Sequence, residues 1–265
     1  METIERNGVR IAYRVEGSTD VARPWLVFSH SLACDHTMWD AQMAEFADFR
    51  ILRFDTRGHG QSSAPVGEYT LETLADDLKA VLDAVSIRRC HFVGLSMGGM
   101  IGQQFLLKYP ARLDTITLAD TTSRYPAETR TVWEERLALV QSRGMDAIVP
   151  STLERWFTAA FRESHPEEVG RIGRLIRSTP VAGYAGCAHG ISRINLTARL
   201  TDFDAPVLVI VGESDLGTPR SMAEEIVQAM PRSRLHVIPH AAHLSNVEQP
   251  AEFNRVLRQF LAANS

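Results

Sequence analysis

Lysine is nearly missing from this sequence: Lys79 and Lys108 are the only two in 265 residues, and arginine supplies the remaining side-chain positive charge. There is no basic excess either. The formal net charge of −4 at pH 7 argues against a generic binder of nucleic acid or of anionic membrane. Cysteine is scarce. Cys34, Cys90 and Cys187 form no C-x-x-C pair and leave an odd thiol, so neither a disulfide framework nor a zinc site is indicated. No apolar run reaches the ~20 residues that span a bilayer. The opening METIERNGVRIAYRVEG is charged from its second residue and lacks the apolar segment of a signal peptide, so a cytoplasmic protein is expected. Internal repeats and low-complexity stretches are also lacking. What is present is 45% hydrophobic and 23% charged, enough for a full core in one domain or in one domain with an insertion.

Charge is unevenly placed. Residues 122–199 hold eleven arginines, no lysine and eight acidic residues, a formal +3 that leaves −7 for the rest. A basic block over an acidic body would attract an anionic small molecule. A chain that simply prefers arginine as its cation would look the same, so both readings stay open here.

Hydrophobic patterning gives the organisation. Residues 4–15 alternate around Asn7-Gly8, a hairpin signal. WLVFSH (25–30), ILRFD (51–55), CHFVGLS (90–96) and DTITLAD (114–120) read as buried strands, with helices over 70–86 and 97–109 between them. The alternation stops at 122–199, which carries helical patterns and turn residues but no convincing strand. It resumes with a strand in 206–215, a helix over 221–230, a strand over 234–240 and a closing helix over 250–262 that starts at proline. Repeated strand–helix units predict an α/β protein with a mostly parallel sheet flanked by helices. Residues 1–121 and 200–265 would form the core domain and 122–199 an inserted helical cap.

Gly94-Leu95-Ser96-Met97-Gly98 is a G-x-S-x-G sequence with a strand before it and a helix after. A serine on so sharp a turn projects its Oγ above the sheet edge, and side chains two residues to either side would crowd it. The helix start supplies backbone N–H groups and a positive dipole end where an oxyanion develops. Ser96 is therefore the expected nucleophile of an α/β-hydrolase fold, whose partners follow in the order acid, then histidine. Asp215 ends the strand before it and His243 follows the last strand, so both fit. Histidine takes the serine proton and returns it to the leaving group, while aspartate sets the imidazole tautomer. Asp120, ending the strand before the helical block, is the alternative acid. Asp55 precedes the serine and reads as structural, as do His59 and His240. His236, His240 and His243 are spaced H-x3-H-x2-H, but on strand and loop rather than on one helix face, so no metal is expected. The second oxyanion donor should come from the loop Ser29-His30-Ser31-Leu32, making the backbone N–H groups of Leu32 and Met97 the expected pair. The side-chain roles of His30 and Ser31 stay open.

Motifs across most of the chain narrow this further. HSLACDHTMW (30–39), RFDTRGHGQS (53–62), GLSMGGMIGQ (94–103), TLERWFTAAFR (152–162), TPVAGYAGC (179–187) and AAHLSNVEQP (241–250) together resemble β-ketoadipate enol-lactone hydrolases. The resemblance implies a Ser96–Asp215–His243 triad, and it places that family's cap Trp-x-x-Arg pair at Trp133 and Arg136. His30 departs from that family, where asparagine is common. Trp133 and Arg136 are three apart on an expected helix and share a face. An arginine fork can hold the free carboxylate of an enol-lactone while an aromatic wall, to which Trp156 also contributes, packs on its ring. Packing within the cap would equally explain Trp133, and a solvated helix face Arg136.

The expected ligand is thus a small lactone or ester, with no metal or organic cofactor and no nucleic-acid or membrane partner. Serine at the elbow disfavours alkyl-halide chemistry, which needs a carboxylate nucleophile. A general carboxylesterase, another lactonase, a cofactor-free perhydrolase and a carbon–carbon bond hydrolase would use the same triad, the last giving Asp120 or polar cap groups a larger part. A non-enzymatic ligand receptor on the same fold is the distant alternative.

Overall fold

The computed structural model describes residues 1–264 except 202 and 204. Positions 202, 204 and 265 belong to the second core stretch expected from sequence and lie outside the described residues. The hairpin forms as the turn chemistry requires: β1 (Glu2–Arg6) pairs antiparallel with β2 (Val9–Gly17), and Asn7 and Gly8 both turn at positive φ. The apolar runs become β3 (Trp25–Ser29), β4 (Arg50–Phe54), β5 (Cys90–Leu95), β6 (Leu113–Ala119), β7 (Val207–Gly212) and β8 (Ser233–Ile238). They assemble in the order β1-β2-β4-β3-β5-β6-β7-β8, parallel from β4 to β8 and antiparallel where β2 meets β4. β3, β5 and β7 are buried along their whole length, as strands covered on both faces must be.

After the short helix α1 (Asp40–Met43), α2 (Leu71–Ala84) buries Leu71, Leu74, Leu78, Val81 and Leu82 as one stripe, and Thr70 caps its start by accepting the Thr73 N–H. It stops two residues short of the expected helix end at 86, because Ser86 turns into positive φ. α3 (Met97–Lys108) is buried over its first ten residues and packs against the centre of the sheet.

Residues 122–199 fold as α4 (Thr129–Arg143), α5 (Val149–Trp156), α6 (Ala159–Ser164), α7 (Pro166–Ser178) and α8 (Val181–Ser192). The two ends of this segment are drawn together by a bridge between Arg124 and Asn195, with Leu196 N–H donating to the Ser123 carbonyl at 2.7 Å. α8 lies almost backbone to backbone on the loop after β4. A Cβ added to Gly183 would stand 2.0 Å from the Gly58 carbonyl oxygen, so only glycine permits this seat. The chain closes with α9 (Arg220–Ala229), α10 (Ser245–Glu248) and α11 (Pro250–Ala262). Among the described residues no helix is long and apolar enough to cross a membrane.

Candidate active site

The parallel strands end along one edge of the sheet, where the loops of such sheets gather their chemistry. Ser96 lies one residue beyond β5 and caps α3 at φ 54°, ψ −113°. That strained turn is bounded by close approaches on both sides. A Cβ on Gly94 would come within 2.3 Å of the Gly98 carbonyl oxygen, and one on Gly98 within 2.1 Å of the Ser29 carbonyl oxygen. The Ser96 N–H is held by the Ala119 carbonyl at 2.9 Å, and its carbonyl accepts from the Thr121 hydroxyl at 2.8 Å. The hydroxyl therefore stands on a turn locked to two neighbouring strands.

Asp215 and His243 arrive from loops after β7 and β8. The Ser96 Oγ is 2.9 Å from His243 Nε2, and His243 Nδ1 is 2.9 Å from Asp215 Oδ2. Asp215 is over-determined: Oδ1 accepts the N–H groups of Gly217 and Thr218, and Oδ2 accepts the Thr218 hydroxyl at 2.8 Å. Burial pushes the Asp215 carboxyl up, but the His243 charge and these hydrogen bonds outweigh it and hold it below its usual range. For His243, burial alone would favour the neutral ring; the adjoining Asp215 carboxylate overrides it and raises the imidazole above its ordinary value. With Nδ1–H donated to Asp215, Nε2 faces the serine as an acceptor, the tautomer a general base needs.

Asp120, the alternative acid, follows β6 at φ 44° and is wholly buried, but it contacts other partners. Its Oδ1 accepts the Gly212 N–H at 2.8 Å and its Oδ2 lies against the Ser245 hydroxyl. Burial and the nearby Asp215 charge push its carboxyl up to about 8.

The loop expected to give the second oxyanion donor is held by neutral histidines. His59 Nε2 accepts the Ala33 N–H at 2.9 Å and its Nδ1–H points to the Arg57 carbonyl; burial drives this imidazole down to about 3. His30 Nε2 accepts the Thr56 N–H, while its Nδ1–H donates to the Ser31 carbonyl at 2.7 Å. Ser31 N–H points to Met38 Sδ, so the Leu32 N–H lies between two engaged neighbours, with no acceptor of its own among the described residues. Met97 is the first residue of α3, where an N–H has no intrahelical acceptor. Asp55 binds the backbone N–H and Nδ1 of His36 and the Gln61 N–H, and so ties loops together. His236 pairs with Glu252 and His240 is exposed, so the three spaced histidines do not converge on one point.

Above Ser96 and His243 lies a cavity of about 220 Å³, small for a ligand pocket. Trp133 and Arg136 of α4 and Trp156 of α5 all line it. Trp156 stacks beside His243 with centroids 6.0 Å apart, and its carbonyl accepts the Leu244 N–H. Arg136 donates to the Tyr184 hydroxyl and to Thr152 Oγ1. Sequence reasoning passed over another lining residue, Arg155, although it stands beside Trp156 in the quoted TLERWF segment. It also passed over Thr218 and over Glu248, which is buried at the histidine loop. The only signal for these was proximity in sequence to residues already singled out.

The family model for the alpha/beta hydrolase fold matches residues 24–250. A 3-oxoadipate enol-lactonase of Acinetobacter baylyi is 35% identical over 97% of this chain and 94% of its own. The crystal structure of the enol-lactonase from Burkholderia xenovorans superposes with a TM-score of 0.95 at 34% identity, covering 98% of this chain and 100% of that one. A hydrolase from Pseudomonas aeruginosa superposes at 0.93 with 36% identity, over 98% and 97% of the two chains. The chain therefore belongs to the α/β-hydrolase fold family, among its carboxylic-ester hydrolases.

Proposed function

We propose that this protein opens the ring ester of a small anionic enol-lactone, converting β-ketoadipate enol-lactone to β-ketoadipate in the catabolism of aromatic compounds. The observation that carries this reading is the hydrogen-bonded line Asp215–His243–Ser96 opening on a small cavity lined by tryptophans and arginines. The names of the enol-lactonase relatives point the same way.

In this mechanism His243 Nε2 takes the Ser96 proton as Oγ attacks the lactone carbonyl. The N–H groups of Leu32 and Met97 receive the oxyanion. Collapse breaks the ring C–O bond, His243 returns the proton to the enol oxygen, and the enol tautomerises to a ketone. A water deprotonated by His243 then releases the second carboxylate from the acyl-enzyme. No metal or organic cofactor enters these steps. Residues 122–199 act as a cap domain over a core of 1–121 and 200–265, with Trp133 and Trp156 packing on the ring and cap arginine charge facing the substrate's acid group.

The test compares Ser96→Ala with wild type on enol-lactone, a saturated lactone and simple aryl esters. Wild type should show its highest kcat/KM on the enol-lactone, and the variant should lose on the order of 10³-fold or more in kcat while keeping its fold. Undiminished turnover by the variant would remove the mechanism. Faster turnover of simple esters by wild type would leave ester hydrolysis standing and favour the second reading, a general carboxylesterase. That reading draws on the cavity-lining side chains of Val132 and Leu216, which are 56% and 75% exposed and offer an apolar approach.

A further inference from the structure

Two guanidinium groups line the cavity, and among the described residues neither is paired with a carboxylate. Their commitments differ. Arg136 is pinned by neutral partners, its Nε donating to the Tyr184 hydroxyl and its terminal nitrogen to Thr152 Oγ1, with the guanidinium 5.9 Å from the Tyr184 ring centroid. Arg155, on α5 beside Trp156, has a Nε that is shut off from water and has no hydrogen-bond partner among the described residues. Burial, then the like charge of Arg136, both work against its protonated form. Asp215, the acid whose field reaches it, is already engaged by His243 and Thr218.

An unpaired, half-buried guanidinium is costly, and two of them side by side are more so. Each arginine presents five donors in a fixed fork that suits a carboxylate. A single anion placed between them would supply the direct carboxylate contact that neither arginine makes among the described residues. The cavity is too small for a second large group, so the ligand that brings this anion must also present its ester to Ser96.

We propose that Arg155 is the direct partner of a carboxylate on the substrate, with Arg136 as a fixed neighbouring charge, so that the site takes monoanionic esters and lactones. This deepens the serine-hydrolase reading above and rests on it. It assigns the anion contact to α5, whereas the Trp-x-x-Arg resemblance alone points to α4.

The experiment uses a pair of substrates of nearly equal shape, 4-nitrophenyl hemisuccinate and 4-nitrophenyl butyrate, alongside the enol-lactone. Wild type should favour the charged ester. In Arg155→Met the charged-to-neutral ratio of kcat/KM should fall at least roughly thirtyfold, mostly through KM, and Arg155→Lys should recover part of it. Because the Arg155 side chain gives up no hydrogen bond among the described residues, the ligand-free Tm of Arg155→Met should equal or exceed that of wild type. Added succinate should raise the Tm of wild type and leave that of the variant unmoved. An unchanged ratio in Arg155→Met, or a lowered Tm with equal loss on both esters, would overturn the proposal. If the enol-lactone is not turned over but the ester ratio still depends on Arg155, the lactone reading fails and the anion site stands.

Discussion

Asp120 and Asp215 are both buried at the sheet edge, yet only Asp215 touches the imidazole. Replacing Asp215 with Asn should cost on the order of 10⁴-fold in kcat. It should also move the acidic limb of the kcat/KM profile downward, because the carboxylate that raises His243 is gone. Asp120→Asn should cost far less rate and show itself in stability instead. Its folded-state value of about 8 lies above the ordinary aspartate value, so the folded chain holds a proton that the unfolded chain has released. That contribution is fully present below the unfolded value and is lost as pH rises towards about 8. Relative to wild type, the Tm of Asp120→Asn should therefore climb between pH 5 and pH 8.5, by several degrees at roughly 2–4 °C per kcal/mol. A constant difference across that range would show that Asp120 keeps the same charge throughout. What distinguishes Asp215 from Asp120 is thus its hydrogen bond to His243, not its place at the sheet edge.

Among the elements, the turn from α5 to α6 and the histidine loop are joined through one carboxylate. Glu248 of α10 is 4% exposed; its Oε1 accepts the Thr158 N–H at 3.0 Å and the Thr158 hydroxyl, while Oε2 accepts the Ala242 N–H at 2.9 Å. Ala242 precedes His243, and the Trp156 carbonyl holds Leu244 on its other side. Both flanks of the histidine are therefore tied to the helical segment or to its anchor. Glu248→Gln keeps one acceptor and turns an amide donor towards either Ala242 or Thr158. It should lose about 1–3 kcal/mol of stability and lower kcat, whereas Thr158→Val, which leaves the backbone contact, should be milder. Thermal melts and steady-state kinetics on both variants check this ordering. Equal effects would mean that the hydroxyl contact, not the Ala242 contact, carries the coupling.

At the scale of the whole molecule, a formal +3 on residues 122–199 faces −7 on the remainder. The arginines that line the cavity belong to the positive part, so the field should draw an anionic substrate towards the opening. Raising ionic strength from about 10 mM to about 500 mM shortens the screening length severalfold. kcat/KM for 4-nitrophenyl hemisuccinate should then fall several-fold, while that for 4-nitrophenyl butyrate stays near constant. Parallel changes for both esters would assign the charge asymmetry to solvation alone.

The sequence by itself determined the alternation of elements, the hairpin at Asn7-Gly8 and the sharp turn at Ser96, and it pointed to Asp215 and His243 as the residues brought beside that serine. Each depends on short-range constraints: side-chain periodicity, a turn that admits only glycine at positions 94 and 98, and the rule that loops at one sheet edge carry the chemistry. It also marked Trp133, Arg136 and Trp156, which line the cavity. Only the tertiary structure decided which aspartate meets the imidazole, which of the two cavity arginines has no side-chain hydrogen bond among the described residues and how the helical segment is seated on the histidine loop. Those outcomes depend on contacts between residues far apart in the chain, such as Asp120 with Gly212, Arg136 with Tyr184 and Glu248 with Thr158. No local pattern encodes them, because burial and partnering emerge only when the elements pack.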